Sequence, residues 1–126
     1  MNAFRPHVVL IVVFLQVTTQ VVDMRSSVSK EACRTVAIMA HCLGSVFTPL
    51  AEQVWPSLMR IVAMKIQVMS SAADRCVRCL VALCVDHRLM LQIIESCGAK
   101  SKDSRKCALD YLCLASALWR YDVIEK

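Results

Sequence analysis

Glycine occurs only twice in this 126-residue chain, at Gly44 and Gly98, and proline three times, at Pro6, Pro49 and Pro56. So few turn formers, beside abundant Ala, Leu, Val and Met, favour an all-α chain. No linker, low-complexity tract or domain boundary interrupts it, and the length suits one domain, or part of one, over residues 1–126. Aromatic residues make up 6% of the chain and fall mostly on core-type positions, which argues against base stacking and so against a nucleic-acid binder. Paired catalytic acids, a Gly-rich phosphate loop and a G-x-S-x-G turn are all missing, which argues against an enzyme. The longest apolar run, Val8 to Leu15, is eight residues, whereas a bilayer span needs about 20. No small-x-small cleavage pattern follows it, so a buried helix or an exposed apolar face is expected rather than a signal or an anchor. Acidic residues number 10 against 15 basic ones, a net charge of +5 that suits an acidic partner without choosing one.

Cysteine, by contrast, is plentiful, with eight residues. An even count could mark disulfides in a secreted chain. Most of these cysteines lie on or beside apolar helical positions, where the thiol packs as a small hydrophobe. Free, largely shielded thiols in a reducing compartment are therefore expected. Cys76 and Cys79 have redox or half-zinc spacing, and Cys84 and His87 follow them. However, Cys76 falls within a continuous helical period and no strand precedes it, so neither metal nor redox chemistry is expected. His7, His41 and His87 are scattered, and no cofactor is implied.

The strongest pattern is a repeat. Ala32, Val36, Met39 and Leu43 are spaced 4, 3, 4; so are Ala73, Val77, Leu80 and Cys84, and again Cys107, Tyr111, Leu114 and Leu118. That spacing draws one stripe along an α-helix. A second apolar segment precedes each copy, and the copies recur about every 34–41 residues, the period of a helical-hairpin solenoid. Three antiparallel pairs are predicted: about Val8–Val22 with Ser29–Cys42, a helix opened by Pro49 with Ser70–Cys84, and His87–Ser96 with Ser104–Trp119. Ser27 or Ser29 is expected to cap the second helix, with Glu31 in its first turn, and Gly44 to end it. Tyr121 to Lys126 reads as a fraying end or a cut.

The turn inside each pair is basic. Arg25 stands in the first, Lys65 in the second, Lys100 and Lys102 in the third, while Lys30, Arg105 and Lys106 begin the returning helices. In a solenoid these turns line up along one edge, so the cations should form one ridge. Lys and Arg in a first helical turn oppose the helix dipole, a mild local conflict of the kind found at binding sites.

The stretch QVVDMRSSVSKEACRTVAIMAHCL, Gln20 to Leu43, closely resembles the second repeat of the TOG domains of cytoplasmic linker-associated proteins (CLASPs). The likeness continues through FTPLAEQVWPSLMRIVAMKIQVMSSAADRCV and AKSKDSRKCALDYLCLASALW, and so covers about 20–119. TOG domains of axonemal microtubule regulators are similar enough to be the subfamily alternative. The resemblance implies an all-α, TOG-like HEAT-repeat solenoid, a flat paddle whose intra-repeat loops bind αβ-tubulin and so regulate microtubule dynamics at the cytoskeleton. In this chain that edge would carry Met24, Arg25, Ser26 and Lys30 from the first loop, Lys65 from the second, and Lys100, Ser101, Lys102 and Arg105 from the third. Three pairs correspond to the second to fourth of about six in the family. The family's first-repeat tryptophan has no counterpart, and residues 1–19 are expected to be an atypical apolar helix standing where the family has its normal first helix. The other readings are a HEAT-repeat scaffold for a different protein partner, or a basic helical-repeat nucleic-acid binder.

Overall fold

Each polar turn read from the sequence separates two helices in the computed structural model of the chain. The structure describes residues 6–84 and 86–119, apart from the side chains of 6–10 and 45. The helices are α1 (Pro6–Val21), α2 (Ser26–Leu43), α3 (Thr48–Val62), α4 (Gln67–Leu83), α5 (His87–Ser96) and α6 (Lys102–Leu118). A single 3-10 turn, Gly44–Phe47, joins α2 to α3. No strand occurs among the described residues. The final six residues, read above as a fraying end, lie outside them, as does His7's side chain.

The helices form the expected pairs, α1 with α2, α3 with α4 and α5 with α6. The second members, α2, α4 and α6, pack side by side as one layer, with α1, α3 and α5 as the other. Cross-helix bonds fix the direction. The Cys84 thiol approaches the Gly44 carbonyl at 3.9 Å, so α2 and α4 end together. Trp119 Nε1 donates to the Val81 carbonyl at 2.7 Å, so α4 and α6 end together. The three helices thus run parallel, and the turns that open them share one end of the molecule.

Between the layers, Trp55 meets Tyr111 edge-on, with centroids 6.0 Å apart, and its indole N–H donates to Ser96 Oγ at 2.8 Å. That bond satisfies the polar end of a buried aromatic side chain. Phe14 of α1 packs edge-on against Phe47 at 5.5 Å. Tyr111 O–H donates to Asp74 Oδ1 at 2.7 Å, tying α6 to α4. The second stripe is buried throughout, at Ala73, Val77, Leu80 and Cys84.

The third stripe departs from expectation. Leu118 is exposed and Cys107 and Leu114 are half-buried, while Ala108, Tyr111, Ala115 and Trp119 face inward. In the first stripe Met39 and Leu43 are half-buried and Ala40 is fully buried. The expected serine cap also differs. α2 begins three residues early, at Ser26, with Arg25 as its N-cap residue and no side-chain cap. Ser29 is buried instead, and its hydroxyl donates to the Val21 carbonyl at 2.6 Å, stapling α1 to α2. Glu31 and Lys30 accordingly fall beyond the first turn. Gly44 ends α2 with a φ of 59°, a left-handed value that costs glycine little. Of the eight cysteines, all free thiols, Cys33, Cys76 and Cys84 are buried, but Cys42 and Cys113 are exposed. The apolar first helix buries Phe14 and Val21 yet exposes Ile11, Val12, Val13 and Leu15. Among the described residues no helix is long and apolar enough to cross a membrane.

Candidate binding edge

The turn 22–25 is built on Asp23. Its Oδ1 accepts the Arg25 backbone N–H at 2.8 Å and Nε at 3.0 Å, while Oδ2 accepts a terminal guanidinium nitrogen at 2.9 Å. This local turn, typical of aspartate two residues ahead of its donor, orders the chain before α2. The paired guanidinium holds the Asp23 carboxyl at a pKa of about 2, below its ordinary range. Arg25 therefore projects from the edge already partnered on one side, with 76% of its side chain exposed. Met24 is 72% exposed beside it and supplies an apolar tip. Ser26 opens α2, half-buried, and Lys30 is exposed one turn further on.

The second turn, from Ala63 to Ile66, leaves Lys65 exposed and in no ion pair among the described residues. The third turn, 97–101, is braced from α6. Arg105 donates to the carbonyls of Ala99 at 2.9 Å and Lys100 at 2.8 Å through a single nitrogen. Ser101 caps α6 by accepting the Ser104 N–H at 3.3 Å. Ser101 and Arg105, expected to face a partner, thus spend part of their polarity shaping the loop, while Lys100 and Lys102 are exposed.

The parallel array puts all three turns at the same end of α2, α4 and α6. Each contributes at least one exposed cation, and Asp23 and Asp103 are the carboxylates nearest in sequence. Sequence reading missed Asp23, although the D-x-R spacing at Asp23 and Arg25 signals a self-paired turn. It also missed the brace from Arg105. Elsewhere, no three of the His, Cys, Asp and Glu side chains converge as a metal site among the described residues. Burial pushes the Cys33 and Cys84 thiols up to about 11, and Cys76 higher still. Such thiols are neutral near pH 7 and poor nucleophiles.

Comparison with known proteins places these features in context. The sequence model of the family described as CLASP N terminal matches residues 5–122. A CLIP-associated protein of Arabidopsis thaliana is 30% identical over 101 residues, 80% of this chain and 7% of that protein. CLIP-associating protein 1-A of Xenopus laevis is 28% identical over 104 residues, 82% of this chain and 7% of that protein. An uncharacterized Dictyostelium discoideum protein is 29% identical over 82 residues. The chain therefore spans less than a tenth of the length of these relatives.

Proposed function

The chain belongs to the CLASP N-terminal family, and on that premise we propose that its basic edge binds αβ-tubulin and contributes to regulating microtubule dynamics. The observation that carries the reading is the alignment of three basic turns at one end of a parallel helix array. Met24, Arg25, Ser26, Lys30, Lys65, Lys100 and Lys102 would meet the partner, with Ser101 and Arg105 holding the third loop in shape. An acidic partner surface suits exposed cations, whose main effect is to steer encounter and fix orientation. Exposed pairs contribute about 0.2–1 kcal/mol each, so the affinity of one such edge is modest. The reading involves no catalytic step. Any regulatory effect comes from differential affinity for tubulin conformations or lattice positions. Its site of action would be the microtubule cytoskeleton.

The test is reversal of Arg25, Lys65 and Lys102 to Glu in one protein, followed by co-sedimentation with microtubules at low and at physiological salt. Binding is expected for the unaltered chain, weaker as salt rises, and lost in the triple variant at unchanged helicity. Binding that survives the triple reversal would overturn the loop-edge reading.

A further inference from the structure

On the solvent side of the α2–α4–α6 layer, a groove of about 450 Å³ runs between α2 and α4. It exists because the facing side chains are short. Cys33, Ala72 and Cys76 form a floor that is at least nine-tenths buried, and Ala37 and Cys79 form its walls. Burial keeps the floor thiols protonated, so the floor carries no charge. The rims are basic. Lys30 and Arg34 stand one turn apart on α2, and Arg75 faces them from α4. Arg75 forms no ion pair among the described residues and also lines the neighbouring depression toward α6. The one carboxylate on the rim, Glu31, lies 3.7 Å from Arg34, with both side chains exposed.

We propose that this groove binds an extended acidic peptide segment of a partner protein, seating one aliphatic side chain over the floor while flanking carboxylates meet Lys30, Arg34 and Arg75. The charge pattern selects this occupant. Lys30 and Arg34 stand on α2 and Arg75 on α4, so cations flank the floor from both helices. A chain with spaced carboxylates matches them. The apolar, uncharged floor takes an aliphatic group by the hydrophobic effect, which releases water from the groove. No aromatic side chain lines the groove, so bases of a nucleic acid have nothing to stack on. Apart from Lys30, the groove uses none of the edge residues, so this site stands whether or not the edge binds tubulin.

The probe is a fluorescein-labelled dodecapeptide of glutamates with one central leucine, titrated with the full chain by fluorescence anisotropy. Saturable binding is expected. It should weaken about three- to tenfold in Arg75→Glu, because one attraction becomes a repulsion. Changing the peptide leucine to serine should weaken it by a similar factor, and Ala37→Phe, which fills the groove, should abolish it. In the triple edge reversal the ratio of affinities between the leucine and serine peptides, which the floor sets, should stay within twofold even as overall attraction falls, which separates failure here from failure of the tubulin reading. Arg75→Glu is a surface change, so it decides the matter if Ala37→Phe loses helicity by circular dichroism. Equal binding of the all-glutamine peptide, no effect of Arg75→Glu, or equal competition by a poly-uridine RNA would overturn the proposal.

Discussion

Tyr111 fills the space between Trp55 and α4 with its ring and holds Asp74 with its hydroxyl, 2.7 Å away. Asp74 also accepts from Arg78 Nε at 3.0 Å, and that guanidinium lies 5.7 Å from the ring centroid. Tyr111→Phe removes one hydrogen bond but leaves the ring contacts and the Arg78 pair, so a loss of about 1 kcal/mol is expected in urea unfolding. Tyr111→Ala empties the space and should lose about 3–5 kcal/mol. The buried thiols give a pH dependence. Their folded pKa values exceed the ordinary 9.0, at about 11 for Cys33 and Cys84. Above pH 9 the unfolded chain releases thiol protons that the folded chain retains. Their contribution is therefore complete below about pH 9 and is lost as pH rises through about 11. Midpoints of urea unfolding measured from pH 8 to 11 should fall accordingly. A thiol reagent should modify Cys42 and Cys113 first in the native protein, and Cys33, Cys76 and Cys84 only on unfolding. Asp23 has the opposite sign. Its depressed pKa orders the first turn above about pH 4, and that order is lost as pH falls through about 2. The chemical shift of Arg25 Nε–H in NMR should follow this titration, and Asp23→Asn, whose amide does not titrate in this range but can still accept through Oδ1, should remove the pH dependence.

Helix α1 separates what a pattern reveals from what packing decides. Its apolar residues surround the axis, so periodicity assigns no face. Packing buries Phe14 against Phe47 and leaves Val12 and Leu15 more than half exposed. Val12→Thr with Leu15→Gln should change stability by no more than about 0.5 kcal/mol per site. Phe14→Ala should lose about 3–5 kcal/mol in the same denaturation assay. The same ambiguity explains α6. Apolar residues occupy two adjacent rows there, and spacing selected the row of Leu114 and Leu118. The structure turns Ala108 and Ala115 inward with Tyr111. Only tertiary contact distinguishes those rows. The helices themselves were legible because polar turns interrupt each apolar segment, and α5 matches its predicted span of His87–Ser96. The start of α2 was less legible, because a serine reads as a cap whether its hydroxyl meets its own helix or, as at Ser29, the carbonyl of a neighbouring one. Positions on the candidate edge followed from the alternation of helices and turns. The pairing of Arg25 with Asp23 and the brace from Arg105 depend on loop conformation, which periodicity does not encode.

The molecule as a whole is an array in which each pair is held mainly by its neighbours, so its stability divides by position. The third pair joins the second through the Asp74–Tyr111 bond, the Trp55–Ser96 bond and the Trp119 indole on the Val81 carbonyl. The first two pairs are joined separately, by the long α2–α4 seam and by Phe14 on Phe47. Removing a contact at one junction should therefore loosen the pair beyond it more than the pairs behind it. Trp119 is the sharpest probe, because it is buried at the far end of the α4–α6 junction and away from the basic turns. Trp119→Ala leaves a large cavity and an unpaired Val81 carbonyl, at a loss of about 3–5 kcal/mol. That is a sizeable part of the about 5–15 kcal/mol typical of a domain, yet it acts at one junction. Hydrogen exchange followed by mass spectrometry should show amides of α5 and α6 exchanging faster, while α2 and α4 keep most of their protection. The third turn, with Lys100 and Lys102, would then leave its register, while Arg25 and Lys65 stay aligned. On the proposed reading of the edge, co-sedimentation with microtubules should then weaken without vanishing, because two of the three loops keep their support. A uniform rise in exchange through all six helices would instead mean that the three pairs fold as one indivisible unit.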